Sequence, residues 1–128
     1  MKPYVTVFIS QPMKNKSKDG IQRERKLIED SLPKLLGEGD YVVMPMISEV
    51  TLSMNKPAHC LGSSIQDMSC SDIVVFAPGW RDARGCTIEH TVCLLYRIPY
   101  VELLKDDDEY YVSSDGRKFI PEDKEVFQ

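Results

Sequence analysis

Residues 72–90 read DIVVFAPGWRDARGCTIEH, an apolar run that breaks at Pro-Gly-Trp and then carries a glutamate, Glu89, into the first turns of a predicted helix. A carboxylate delivered behind a glycine-rich turn can attack an electrophilic carbon or exchange a proton with a ligand. Gly79 and Gly85 allow the backbone to turn sharply and approach a ligand with no Cβ in the way. A helix starting near Arg84 or Gly85 would aim its unpaired N–H groups at the same place. About one turn inside that helix, the positive end of the macrodipole is expected to keep Glu89 ionised, as a nucleophile must be. Glu89 also reads as a helix-start acid that merely complements the dipole, and Trp80 as a strand-end core residue.

Cys86, His90 and Cys93 fall at i, i+4 and i+7, a spacing that would line metal ligands along one helical face. They lack a fourth ligand and a local motif. The plainer expectation is that Cys93 is a small core residue, Cys86 packs at the helix start and His90 is exposed. Cys60 and Cys70 form no CxxC pair with these, so free thiols are expected. The chemistry calls for neither a metal nor an organic cofactor.

The elements that must position Glu89 can be read from hydrophobic patterning. Residues 4–10, 41–45, 72–78 and 98–104 are near-continuous apolar runs, as in strands covered on both faces. Between the first two, Ile21, Ile28, Leu32 and Leu35 recur at helical spacing behind a cap at Asp19, with Pro33 expected to kink or split the helix and Gly37 or Gly39 to end it. Leu61, Ile65 and Met68 mark a second helix, and Ile88, Val92, Leu95 and Tyr96 a third. The resulting βαβαβαβ order predicts an α/β fold: a three-layer, Rossmann-like (flavodoxin-like) parallel sheet flanked by helices. One domain spanning 1–128 is expected, with a core at 4–104 and a C-terminal extension at 105–128. In that extension, EYYVSSDGRKFIP reads as a hairpin around Ser-Asp-Gly, and KDDDE as a solvated loop. Ligands of such sheets bind beyond the carboxyl ends of the strands, which here lead into SQPMKNKSKDG, PMISEVTLSMNKPAH and APGWRDARGCT. Asp72, at the start of the third strand, is expected to anchor that strand rather than serve the site.

With 128 residues, 42% hydrophobic and 28% charged, the composition is that of one ordinary globular domain. A net charge of −4 supplies no positive field for a polyanion, so nucleic acid is not an expected partner. No apolar run approaches the length of a membrane span or a signal h-region, and a cytoplasmic location is expected.

FISQPMKNK after a hydrophobic start resembles the Y-I-S-G-P-M-T-G opening of a domain family of unknown function related to the nucleoside 2-deoxyribosyltransferases. SDIVVFAPGWRDARGCTIEH is similar, in step throughout, to that family's C-D-x-V-x-x-L-P-G-W-x-x-S-x-G-A-x-x-E-H. The likeness spans about residues 4–102 in element order. It implies that Glu89 attacks the anomeric carbon of a ribose or deoxyribose, that the base leaves, and that water or a second base resolves a glycosyl-enzyme ester. The implied substrate is a nucleoside or nucleotide, bound by Phe8, Ser10, Gln11, Pro12 and Met13 from the first loop and by Gly79, Trp80, Ala83 and Gly85 from the third. A homodimer or larger homo-oligomer is implied as well.

The chain departs from the family pattern at four positions. Ser64 stands where the family carries an assisting aspartate, and Asp67, one turn on, is the nearest carboxylate that could act in its place. Phe8 replaces a tyrosine, Gln11 a glycine, and Ala83 a serine that bonds sugar or phosphate. The fold-building positions are kept and those that tune the reaction are changed. Two functions therefore follow from the resemblance: an N-glycosidase or deoxyribosyltransferase, or a non-catalytic module that binds a nucleotide or sugar phosphate in the same pocket.

Overall fold

The computed structural model describes residues 3–46, 54 and 56–113. The apolar runs form β1 (Tyr4–Ser10), β2 (Asp40–Val43), β3 (Ile73–Phe76) and β4 (Tyr100–Asp106), and a further strand follows, β5 (Glu109–Val112). The helices are α1 (Lys18–Leu36), α2 (Pro57–Ser69) and α3 (Arg84–Tyr96). Strand order is β2-β1-β3-β4-β5. The pairings among the first four strands are parallel, whereas β4 and β5 are antiparallel. The fold is thus α/β with a mixed, strongly curled five-stranded sheet, not the wholly parallel one expected.

The difference arises at the acidic run. Asp107 takes a left-handed conformation (φ 54°), which a short polar side chain tolerates, and the chain turns tightly enough to set Asp106 opposite Glu109. KDDDE is therefore the turn of a hairpin rather than a plain loop. EYYV, expected to open a later hairpin, is the returning strand of this earlier one. The predicted turn at Ser-Asp-Gly, with the rest of the extension from residue 114, lies outside the described residues.

Alternation along the strands sorts the core onto two faces. Val7, Ile9, Val75, Val101, Leu103 and Tyr110 pack with Ile28 and Leu32 of α1. Phe8, Val74, Phe76 and Tyr100 pack with Met68 of α2 and Cys93 of α3. The curl brings β5 against α1, where Lys34 Nζ lies 3.6 Å from Glu109. Among the described residues no helix is long and apolar enough to cross a membrane.

The cap of α1 is Ser17, not Asp19, which sits in the first turn. Ser17 Oγ accepts the Gly20 N–H at 3.0 Å, and a Cβ at position 20 would come within 3.0 Å of that same oxygen, so glycine lets the cap close. Pro33 does not split the helix. It falls in the last turn, and Gly37 (φ 107°) ends the helix by donating its N–H to Pro33 O.

At the start of β3, Asp72 Oδ2 accepts the Thr6 N–H at 2.8 Å while the Asp72 N–H donates to Thr6 O at 2.8 Å. This double link ties β1 to β3 at the end of the sheet away from the ligand loops. Asp72→Ala is expected to cost ~1–2 kcal/mol in urea unfolding, with ligand affinity unchanged. A loss of affinity without loss of stability would move Asp72 into the site.

Candidate functional site

Ser10 pairs with Phe76 and Phe76 with Glu102, so these three residues form one row across β1, β3 and β4. The row lies at the carboxyl ends of β1 and β3, on the face covered by α3. Consecutive residues of α3 close on its two ends. Ser10 Oγ donates to Glu89 Oε1 at 2.6 Å, and His90 Nε2 meets Glu102 Oε2 at 2.8 Å.

Glu89 is only 7% exposed. Burial pushes its carboxyl up to about 7, and the hydrogen bond from Ser10 opposes that shift without cancelling it. The ionisation expected from the helix dipole is thus outweighed by desolvation. Ser10 is the carboxylate's one hydrogen-bond donor among the described residues. Oε2 has no hydrogen-bond donor among the described residues. Cys86 shares the Ser10 hydroxyl. Burial pushes its thiol up to about 11 despite that hydrogen bond, and burial takes Cys93 to about 12. Both thiols are therefore protonated and inert at neutral pH. None of the four cysteines is in a disulfide, and no group of three or more metal-ligating side chains exists among the described residues.

His90, expected on the surface, is instead packed into the row. Its ring stacks on Trp80 (centroids 4.0 Å apart, planes 12° apart) and meets Phe76 and Tyr100 edge-on at 5.0 and 4.8 Å. Arg81 lies over the Trp80 ring at 5.0 Å and reaches Glu102 at 3.5 Å. This aromatic and ionic stack fixes the short 3₁₀ turn Trp80–Asp82 that leads into α3, and so positions the helix that carries Glu89. The signal for it lay in Glu102: a charged residue within an otherwise apolar strand covered on both faces needs a buried partner.

The turn requires one glycine, and it is Gly79, with φ 84°. Pro12 packs under it, its Cγ 4.0 Å from where a Cβ would lie. Gly85 is not left-handed. It sits in the first turn of α3 with no atom within 4 Å of the position a Cβ would take, so a side chain there would enter open space. Ala83 occupies the N-cap of α3 and supplies no side-chain cap, as the loss of serine implies. Gly85→Ala is expected to leave thermal melting equal or higher, because alanine favours a helix by up to ~1 kcal/mol over glycine, and to weaken ligand binding by crowding the pocket. Unchanged affinity would leave Gly85 no role in the pocket.

The remaining predicted residues divide. Gln11, one step beyond Ser10, points to the opposite face by strand alternation, and its Nε2 donates to Ile21 O at 2.8 Å and Glu24 Oε1 at 3.0 Å. It serves α1 rather than Glu89. Met13 is half-buried, with its carbonyl accepting the Lys16 N–H. Phe8 lies one row behind Ser10, buried with Met68 and Cys93, so a tyrosine hydroxyl there would enter packed core rather than an open pocket. Ser64 is half-buried in the middle of α2. Asp67 is in that helix's last turn, where its carbonyl accepts from Cys70 N and Ser71 Oγ and the chain turns into the start of β3. Glu89 meets Ser10 beyond the other end of that strand, and the structure does not bring Asp67 to it. Compared with protein-family models, curated proteins and solved structures, the chain has no significant match.

Proposed function

We propose that the protein cleaves or exchanges the N-glycosidic bond of a nucleoside or nucleotide, with Glu89 as nucleophile at the anomeric carbon. The observation that supports this reading is a buried carboxylate at the ligand end of the sheet, held through Oε1 by Ser10 and with Oε2 left without a donor among the described residues. Attack by Oε2 forms the C1–O ester as the C1–N bond breaks, and the base leaves with the bonding pair and takes up a proton. Water or another base then attacks C1, the C1–O bond to Glu89 breaks with its pair returning to the carboxylate, and the incoming group loses its proton to solvent. The Rossmann-like layering, the cytoplasmic setting and a homo-oligomeric assembly belong to the same reading. Asp72 is committed to the β1–β3 link and Asp67 lies at the far end of β3, so neither is assigned the proton for the leaving base.

A second reading draws on the Glu89 carboxyl itself. At about pH 7 half of it is protonated and can donate a hydrogen bond, which suits a module that binds a sugar or nucleotide without cleaving it. Incubation with mixed 2'-deoxynucleosides and their 5'-monophosphates separates the two. The enzyme reading predicts release of free base, at a rate that rises through about pH 7 as Glu89 ionises and levels off above it. A ligand-dependent rise in melting temperature with no base released would establish the binding module instead.

A further inference from the structure

On the face of the sheet covered by α1, a groove of about 410 Å³ runs between the first turns of that helix and the β4–β5 hairpin. Gly20, Arg23, Glu24 and Leu27 line it at three- and four-residue spacing, one face of α1, with Lys16 just ahead of the cap. The opposite wall is Lys105 and Tyr110, cross-strand partners in the hairpin, with Lys105 Nζ 5.5 Å from the Tyr110 ring centroid. Three cations thus face one carboxylate, in a chain whose net charge is −4. Glu24 is already engaged by Gln11 at 3.0 Å and Lys16 at 3.9 Å. Among the described residues neither Arg23 nor Lys105 has a carboxylate partner. The positive end of the 19-residue helix opens on the same groove.

Tyr110 supplies an independent sign of a ligand. It is 3% exposed, yet its hydroxyl has no hydrogen-bond partner. Tyr110 lines the groove together with Glu24, and burial, and next the charge of Glu24, raise its pKa. A buried phenol is seldom left unpaired unless a ligand or water completes it.

We propose that this groove binds a phosphate monoester, whose dianion is held by Lys16, Arg23 and Lys105 at the N-terminus of α1 and accepts the Tyr110 hydroxyl proton in a hydrogen bond. Several donors converging from two walls match the multiple acceptor oxygens of a phosphate better than a single carboxylate. The volume exceeds that of the phosphate group alone, and Leu27 and the Tyr110 ring offer apolar surface to a small organic body. Ser10 and Gln11 point to opposite faces, so apart from Lys16, whose charge also acts on Cys86, the lining of the groove lies across the sheet from Glu89, and the proposal does not depend on the reading of that residue.

The test is a titration of the full chain, followed by backbone amide NMR shifts, with glycerol 3-phosphate and with inorganic phosphate. Glycerol and sodium chloride at matched ionic strength are the controls. Saturable shifts at Gly20, Arg23 and Tyr110 are expected with glycerol 3-phosphate and not with either control. Tyr110→Phe should weaken binding about tenfold, a hydrogen bond to a charged group, while unfolding at an equal or higher denaturant concentration. Lys105→Gln should weaken it severalfold and Glu89→Gln not at all. Shifts that do not saturate, that sodium chloride reproduces, or that survive both Tyr110→Phe and Lys105→Gln would overturn the site. Saturation by inorganic phosphate alone would overturn the assignment to a monoester.

Discussion

Glu89→Gln is expected to make the folded protein more stable at pH 8 while abolishing base release. The carboxyl is raised from 4.5 to about 7 in the folded state, chiefly by burial, so between those values the folded chain holds a proton that the unfolded chain does not. Its contribution is fully present below pH 4.5 and is lost as pH rises through about 7. The shift corresponds to about 3 kcal/mol of lost stability at pH 8. Glutamine keeps the shape and can accept the Ser10 hydroxyl through its carbonyl, but it never ionises. Urea unfolding of both proteins at pH 5 and pH 8 should therefore show the difference between them growing with pH in favour of the variant. A variant less stable than the parent at pH 8 would mean that the ionised carboxylate has favourable partners and is not strained by burial.

Ser10→Ala is expected to have nearly as large an effect, in the opposite sense for stability. Ser10 is the donor that holds the Glu89 pKa down, and without it the ionised carboxylate is buried with no protein hydrogen bond. Its pKa should climb further, and base release at pH 7 should fall about ten- to a hundredfold, as for loss of a hydrogen bond to a charged group worth ~1.5–3 kcal/mol. The decisive readout is the pH profile. The variant's rate should recover toward that of the parent as pH rises, because enough alkali still ionises the carboxyl. At pH 5, where Glu89 is protonated in both proteins, the stability cost should be smaller than at pH 8. A uniform loss of rate at every pH would assign Ser10 to substrate contact rather than to control of Glu89.

How far the sequence foretold this arrangement depended on whether a residue acts locally or through a distant partner. The parallel β1, β3 and β4 were legible because strands covered on both faces are apolar along their whole length. The hairpin was misplaced because its turn is made by aspartates, and a run of three acids resembles a solvated loop. Glu89 was legible from its place behind Gly79 and Trp80, and so was the linking role of Asp72. The ionisation state of Glu89 was not, since the dipole of its own helix is local information whereas the desolvation comes from packing against β1. His90 reads as a surface residue because α3 alone leaves it unpaired, and only the register that sets Glu102 beside Phe76 supplies its partner. Gln11 and Asp67 are placed away from Glu89 for related reasons: strand alternation turns the first to α1, and helix direction carries the second to the start of β3.

In the proposed mechanism Glu89 forms a covalent ester with the sugar. Rapid acid quenching of the protein during turnover of a 2'-deoxynucleoside, followed by mass spectrometry of its peptides, tests it most directly. A deoxyribosyl adduct on the peptide that contains Glu89, absent in Glu89→Gln, is the predicted result. Base release at full rate with no such adduct, or with an adduct retained in Glu89→Gln, would contradict it.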